Sequence, residues 1–158
     1  MDAVIVGKDG KWHSSKSAML DASGDVVAKG GHKRYRATAV VIRDGKVLLV
    51  RDRGRHDFSL PGGGFKRGES TVQAGAREVY EELGLKTLSA ERLRRCDLVG
   101  RRAKHKVCLL EVSGEPYLKS REIDRFVWWG MEEELLIQGH VRYILGKLGD
   151  RIKDLEVS

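Results

Sequence analysis

Three glutamates, Glu78, Glu81 and Glu82, stand in the run Arg77-Glu78-Val79-Tyr80-Glu81-Glu82-Leu83, directly downstream of the glycine-rich stretch Pro61-Gly62-Gly63-Gly64. On a helix advancing about 100° per residue, Glu81 and Glu82 fall on either side of Glu78, so the three carboxylates share an arc of roughly 100°. Carboxylate oxygens on one arc are the ligands that hard divalent cations prefer. Taken alone, such a face is most often just solvated. Two features argue for more. Within the helix, up to Gly84, no Lys or Arg follows any of these glutamates by four residues to form the ion pairs usual on a surface helix. The glycines also let backbone approach a ligand with no side chain in the way, so a phosphate cradle beside the acidic face is expected.

The helix that must carry these groups is signalled at both ends. Ser70 with Gln73 three residues on is a capping-box pattern, and Gly84 suits the left-handed residue that closes a helix. Val72, Ala76, Val79, Tyr80 and Leu83 lie opposite the glutamates, giving an apolar back for packing. Upstream, Tyr35 to Ile42 and Lys46 to Val50 flank Asp44-Gly45, a strong hairpin signal. Strands are expected near Arg92 to Val99, Lys106 to Val112 and Arg125 to Trp129. A late helix is expected from Val141, Ile144, Leu145, Leu148 and Ile152. In the Trp128-Trp129 pair, alternation sends the two indoles to opposite sheet faces.

The spacing from Gly63 through Glu69 and Arg77-Glu78 to Glu81-Glu82, Gly84 and Leu85 resembles the Nudix box, with every specified position filled. At average residue frequencies, a chance match in a chain of this length is on the order of one in ten million. The box covers 23 of 158 residues, from Gly63 to Leu85. The resemblance implies an α/β/α sandwich built on a mixed β-sheet. It further implies Mg2+- or Mn2+-dependent hydrolysis of a diphosphate linkage in a nucleoside-diphosphate-linked or other polyphosphorylated small molecule. By position, Glu78, Glu81, Glu82 and the Gly63 carbonyl match the metal ligands, and Glu81, Glu82 and Arg77 the catalytic set. Arg77 matches the residue that orients a box glutamate, and Glu69 the one that supports loop and helix. Glu122, ahead of the Arg125 strand, stands where many members place a further catalytic glutamate. Asp124, Glu115 and His105 are its rivals as general base.

A 158-residue chain with a net charge of +7 suits one domain with acidic partners. Residues 1–33, with Val4-Ile5-Val6 and Val26-Val27 between turn sequences, are expected to form a small β-hairpin extension of the domain at 34–158. Basic residues cluster at Arg51, Arg53, Arg55 and His56, and again at Arg101, Arg102, Lys104, His105 and Lys106. Arg51, Arg53, Lys104 and His105 are therefore the candidate substrate contacts. Lys66 and Arg67, at variable box positions, add positive charge where members are often acidic or neutral. Cys96 and Cys108 lack zinc spacing and read as reduced thiols in strands. With no long apolar span or secretory leader pattern, a cytoplasmic protein with no membrane partner is expected. The competing class is a catalytically silent Nudix-fold module that binds nucleic acid or a phosphorylated ligand. A full set of box glutamates argues against it, because binding alone does not require them all.

Overall fold

The Asp44-Gly45 turn, with φ of 52° and 73°, joins β3 (Arg34–Arg43) to β4 (Lys46–Asp52) as a two-residue hairpin of the kind whose twist matches its strands. The computed structural model describes residues 2–6, 12–14 and 34–149. The hairpin is tight only at its closed end, where Ile42 faces Val47 and Arg43 faces Lys46. Further along, β3 loses β4 and takes β5 (Gly62–Gly64) as its neighbour, pairing Arg36, Ala37 and Thr38 with Gly64, Gly63 and Gly62. The sheet therefore splits beside β3, and β4 leaves with β9 (Ile123–Trp129).

Among the described residues the full order is β2 (Trp12–Ser14), β1 (Asp2–Val6), β6 (Lys86–Arg92), β8 (Ala103–Ser113), β3, β4, β9. The short β7 (Leu98–Val99) pairs with the start of β8. The β3–β8 pair is parallel and the others are antiparallel, which makes the sheet mixed.

Alternation along β3 and β4 sends Ala39, Val41, Leu48 and Val50 to one face and Val40, Val47 and Leu49 to the other. The first face is covered by α1 (Thr71–Leu83) through Val72, Ala76, Val79 and Leu83. The second is covered by α2 (Gly139–Leu148) through Val141, Ile144, Leu145 and Leu148. Helix, sheet and helix form the expected three layers. Trp128 packs with the first cluster and Trp129 with the second, as strand alternation requires.

Several local expectations are corrected. The stretch Arg92 to Val99 is not one strand: β6 ends at Arg92, a 3₁₀ turn spans Arg94–Cys96, and β7 follows. The cause is Asp97, which takes both Arg92 guanidinium nitrogens at 2.7 Å and the Val107 amide at 2.9 Å, folding the chain back onto β8. Cys96 thus lies in the turn and Cys108 in a strand, both buried. Tyr80 is 44% exposed, with the Lys119 ammonium 3.6 Å from its ring centre, and leaves the apolar back to its neighbours. Val26-Val27 and Ile152 lie outside the described residues.

Candidate active site

The acidic front of α1 meets the split in the sheet. Ser70 caps the helix with the full box, its hydroxyl accepting from the Gln73 amide at 3.2 Å while Gln73 accepts from the Ser70 amide at 3.0 Å. Gly84, in the left-handed region, closes the other end by donating to the Tyr80 carbonyl. This fixes the rotation of the helix, so that Val79 and Leu83 enter the core and Glu78 faces β5. A Cβ on Gly63 would fall onto the Glu78 carboxylate, so any larger residue there would have to displace that side chain.

Arg77 gathers the acidic groups. Its Nε and Nη2 donate to the two oxygens of Glu69 at 2.7 and 3.0 Å, and Nη1 donates to Glu78 at 2.8 Å and Glu81 at 3.2 Å. Nη2 also reaches the Gly64 carbonyl at 2.8 Å. One guanidinium therefore ties the helix to the glycine strand, and Glu69 secures the loop between them by accepting from the Lys66 amide. Lys66 stands 3.9 Å from Glu81.

Glu82 points the other way, into the split, where it is 5% exposed and accepts from the Gly62 amide at 3.2 Å. The glycine stretch is thus a strand against β3 that donates to a carboxylate, and the expected open phosphate cradle is not what it forms. Burial pushes the Glu82 carboxyl up to about 8. Glu78 and Asp52 add to the rise, while Arg36 and the Gly62 amide oppose it. Burial also raises Glu78; Arg77 opposes, and Glu81 and Glu122 add repulsion.

Glu122 is close enough to Glu78 for its charge to contribute to that rise. Its segment is tethered to α1 by the Tyr117 amide on the Leu83 carbonyl and the Lys119 amide on the Glu82 carbonyl, each at 3.1 Å. On the other side, the Arg53 amide donates to the Glu122 carbonyl and the Arg53 side chain to the Arg121 carbonyl, both at 2.8 Å. The rival bases lie elsewhere. Asp124 is paired with Arg51 at 3.0 Å, exposed Glu115 with Arg43 at 3.4 Å, and His105 is buried against Thr38 at 2.7 Å. Of the candidate substrate contacts, Arg51 and Arg53 are thus engaged within the chain, and Lys104 sits 5.2 Å from the centre of the Tyr35 ring.

Among the described residues, no three His, Cys, Asp or Glu side chains close around one point as they stand. Arg77 draws Glu78 and Glu81 to itself while Glu82 turns to Gly62. The donor set nonetheless fits a hard divalent cation. It consists of oxygens only, and burial of Glu82 and half-burial of Glu78 disfavour their ionisation without further positive charge. Arg36 and Asp52, from separate segments, complete the surroundings of Glu82 and were not legible in the sequence. No local motif marks them, since the split sheet alone brings them together.

A pH-dependent prediction follows from Glu82. Its folded pKa lies above the ordinary 4.5, so its contribution to folding is full below that value and is lost as pH rises through about 8. In metal-free protein, the stability of Glu82→Gln relative to the parent should increase between pH 4.5 and 8, by a few kcal/mol at most, and level off above. Chemical denaturation at several pH values measures this. A difference that stays flat with pH would contradict the buried carboxyl.

Among the described residues no helix is long and apolar enough to cross a membrane. The family model described as NUDIX domain matches residues 33–144. An RNA pyrophosphohydrolase of Aeromonas hydrophila is 50% identical over 44 residues, which are 28% of this chain and 25% of that protein. The chain spans between a quarter and a third of the length of the first curated relatives it matches. A crystal structure of a nudix hydrolase family member from Chromobacterium violaceum superposes with a TM-score of 0.64 at 28% identity, covering 80% of this chain and 90% of that one. An ADP-ribose pyrophosphatase from Streptococcus suis shares the fold, with a TM-score of 0.60 at 19% identity over 74% of this chain and 90% of that one.

Proposed function

The chain belongs to the NUDIX domain family, and on that premise we propose that it is a divalent-metal-dependent hydrolase of a diphosphate linkage in a nucleoside-diphosphate-linked or other polyphosphorylated substrate. The observation that carries this reading is the concentration of acidic charge at the split in the sheet. Glu82 is buried and Glu78 half-buried, with Glu81 and Glu122 nearby, and a single arginine holds Glu78 and Glu81 in register. A diphosphate would be repelled by that surface unless a hard cation lay between them.

Glu78, Glu81, Glu82 and the Gly63 carbonyl would hold Mg2+ or Mn2+. When bound, the cation offsets charge on the phosphoryl oxygens and activates water as a nucleophile. Arg77 is a positioning residue that fixes Glu78 and Glu81 against the loop through Glu69. Glu122 takes the proton from the attacking water as the new phosphorus–oxygen bond forms and the anhydride bond breaks. The tethers of its segment to α1 and to Arg53 support this role by holding its backbone near the acidic helix.

A hydrolysis screen with Mg2+ or Mn2+ over nucleoside triphosphates, nucleoside diphosphate sugars, dinucleoside polyphosphates and 5′-phosphorylated RNA tests the reading. At least one compound should be cleaved at its anhydride. Tight, salt-sensitive nucleic-acid binding by metal-loaded protein that cleaves nothing would favour the silent binding module instead.

Within the enzyme reading, Glu122→Gln should lower kcat by roughly 10²- to 10⁴-fold with much less effect on KM. Asp124→Asn, Glu115→Gln and His105→Gln should retain most turnover. Steady-state kinetics at neutral pH distinguishes them, and a loss confined to one of the rivals would refute the assignment.

A further inference from the structure

Arg36 separates Glu82 from a second feature, a cleft of about 430 Å³ between the Asp52–Ser59 segment, the β7–β8 hairpin and the start of α2. Its polar groups differ in how well they are satisfied. The Arg55 guanidinium is consumed by Asp57, with two contacts of 2.8 Å, and Gln138 adds to the same carboxylate. Ser59 is unlike them. It is only 3% exposed and pinned by two backbone bonds to Val50, yet its Oγ has no partner. A buried hydroxyl left unpaired is costly unless a ligand completes it.

At the deep end, His105 and His140 stack with ring centres 4.2 Å apart. His140 accepts from the Leu60 amide at 3.3 Å, and His105 is bonded to Thr38. Burial lowers His105 to about 4 and His140 to about 3, so both rings are neutral near pH 7 and give the floor no charge. Positive charge is offered instead at the rim. Arg101 and Arg102 line the cleft from the hairpin tip, are exposed, and make no ion pair among the described residues. Asp52, also lining the cleft, accepts no side-chain hydrogen bond among the described residues.

Together these groups make a free carboxylate acceptor, an orphan hydroxyl and two free guanidiniums around an uncharged polar floor. No Phe, Tyr or Trp lines the cleft among the described residues, so broad stacking of a base is not what it offers. We infer that the cleft binds the non-nucleoside end of the substrate, and that this end is a sugar carrying a phosphate of its own beyond the scissile diphosphate. Its hydroxyls are met by Asp52 and Ser59, and its outer phosphate by Arg101 and Arg102. This rests on the diphosphate-hydrolase reading, because the cleft becomes a substrate subsite only if chemistry occurs beside Glu82.

The test needs no turnover. Ribose 5-phosphate, ribose, inorganic phosphate and adenosine are titrated separately into the full chain while the His105 and His140 imidazole signals are followed by NMR. Ribose 5-phosphate should give saturable shifts, and ribose or phosphate alone should bind at least about 5-fold more weakly, as expected when one set of contacts is missing. Replacing both arginines, R101S with R102S, should weaken ribose 5-phosphate about 10-fold or more, with the remaining affinity insensitive to salt. Ser59→Ala removes only an unpaired atom and should weaken it roughly 3- to 10-fold without unfolding the chain.

Adenosine saturating the same signals with no dependence on the arginines would overturn the inference in favour of a base pocket. Phosphate binding as tightly as the sugar phosphate, or no saturable shift with ribose 5-phosphate, would overturn it as well. Failure here with a diphosphate still cleaved removes only the cleft assignment. Binding as described with nothing cleaved leaves a sugar-phosphate site and removes the enzyme reading.

Discussion

Glu82→Gln is expected to abolish turnover while the protein remains folded. The side chain is almost fully buried at the split in the sheet, and its Oε1 accepts from the Gly62 amide, a bond the glutamine oxygen retains. In metal-free protein the carboxyl already favours its neutral form near neutral pH, so an uncharged amide of the same shape costs the fold little. What disappears is the capacity to ionise against a cation. Circular dichroism of the purified variant should match the parent, and its denaturation midpoint near neutral pH should be no lower, while hydrolysis of whichever diphosphate the parent cleaves is lost. Full activity in the variant would remove Glu82 from the site.

Leu83→Ala, one residue further along, should do the reverse. Leu83 is fully buried among Val79, Leu85 and Leu110, on the opposite side of the helix from the acidic face. Removing its branched end should cost roughly 2–5 kcal/mol, the transfer free energy of the lost methyl groups plus the cavity they leave. The midpoint of denaturant unfolding should fall accordingly. Activity measured well below that midpoint should stay near the parent's, because no contact of the carboxylates is touched. A stability loss under 1 kcal/mol would mean that this face is poorly packed. Adjacent residues with opposite outcomes would show that one helix serves core and chemistry on separate arcs.

What could be read in advance was whatever depends on neighbours in sequence. The caps at Ser70 and Gly84, the apolar arc of α1, the Asp44-Gly45 hairpin and the stripe of α2 are local patterns, and each appears in the fold. β6 was missed because Lys-Thr-Leu-Ser-Ala-Glu-Arg has no apolar alternation. Its inward positions are Ala90 and Arg92, and Arg92 is buried where Asp97 and the Val107 carbonyl meet it. The glycine stretch misled for a related reason. Its permissive backbone suits a ligand cradle, but here pairing with β3 turns the Gly62 amide toward Glu82.

The surroundings of Glu82 were hidden more thoroughly. Arg36 comes from β3 and Asp52 from the end of β4. Nothing in their spacing links them; they meet because β3 exchanges one partner strand for another. The basic clusters divided in a way composition could not foretell. Arg51, Arg53 and Arg55 have partners within the chain, whereas Arg101 and Arg102 remain available at the cleft.

The central claim is that the acidic face of α1 serves diphosphate hydrolysis by holding a divalent cation. It is tested most directly by assaying the purified chain, on a diphosphate that it cleaves, before and after excess chelator and again after Mg2+ or Mn2+ is restored. Hydrolysis should stop in chelator and return with the added cation in the parent, with no return in Glu82→Gln. Hydrolysis that continues undiminished in excess chelator would contradict the account.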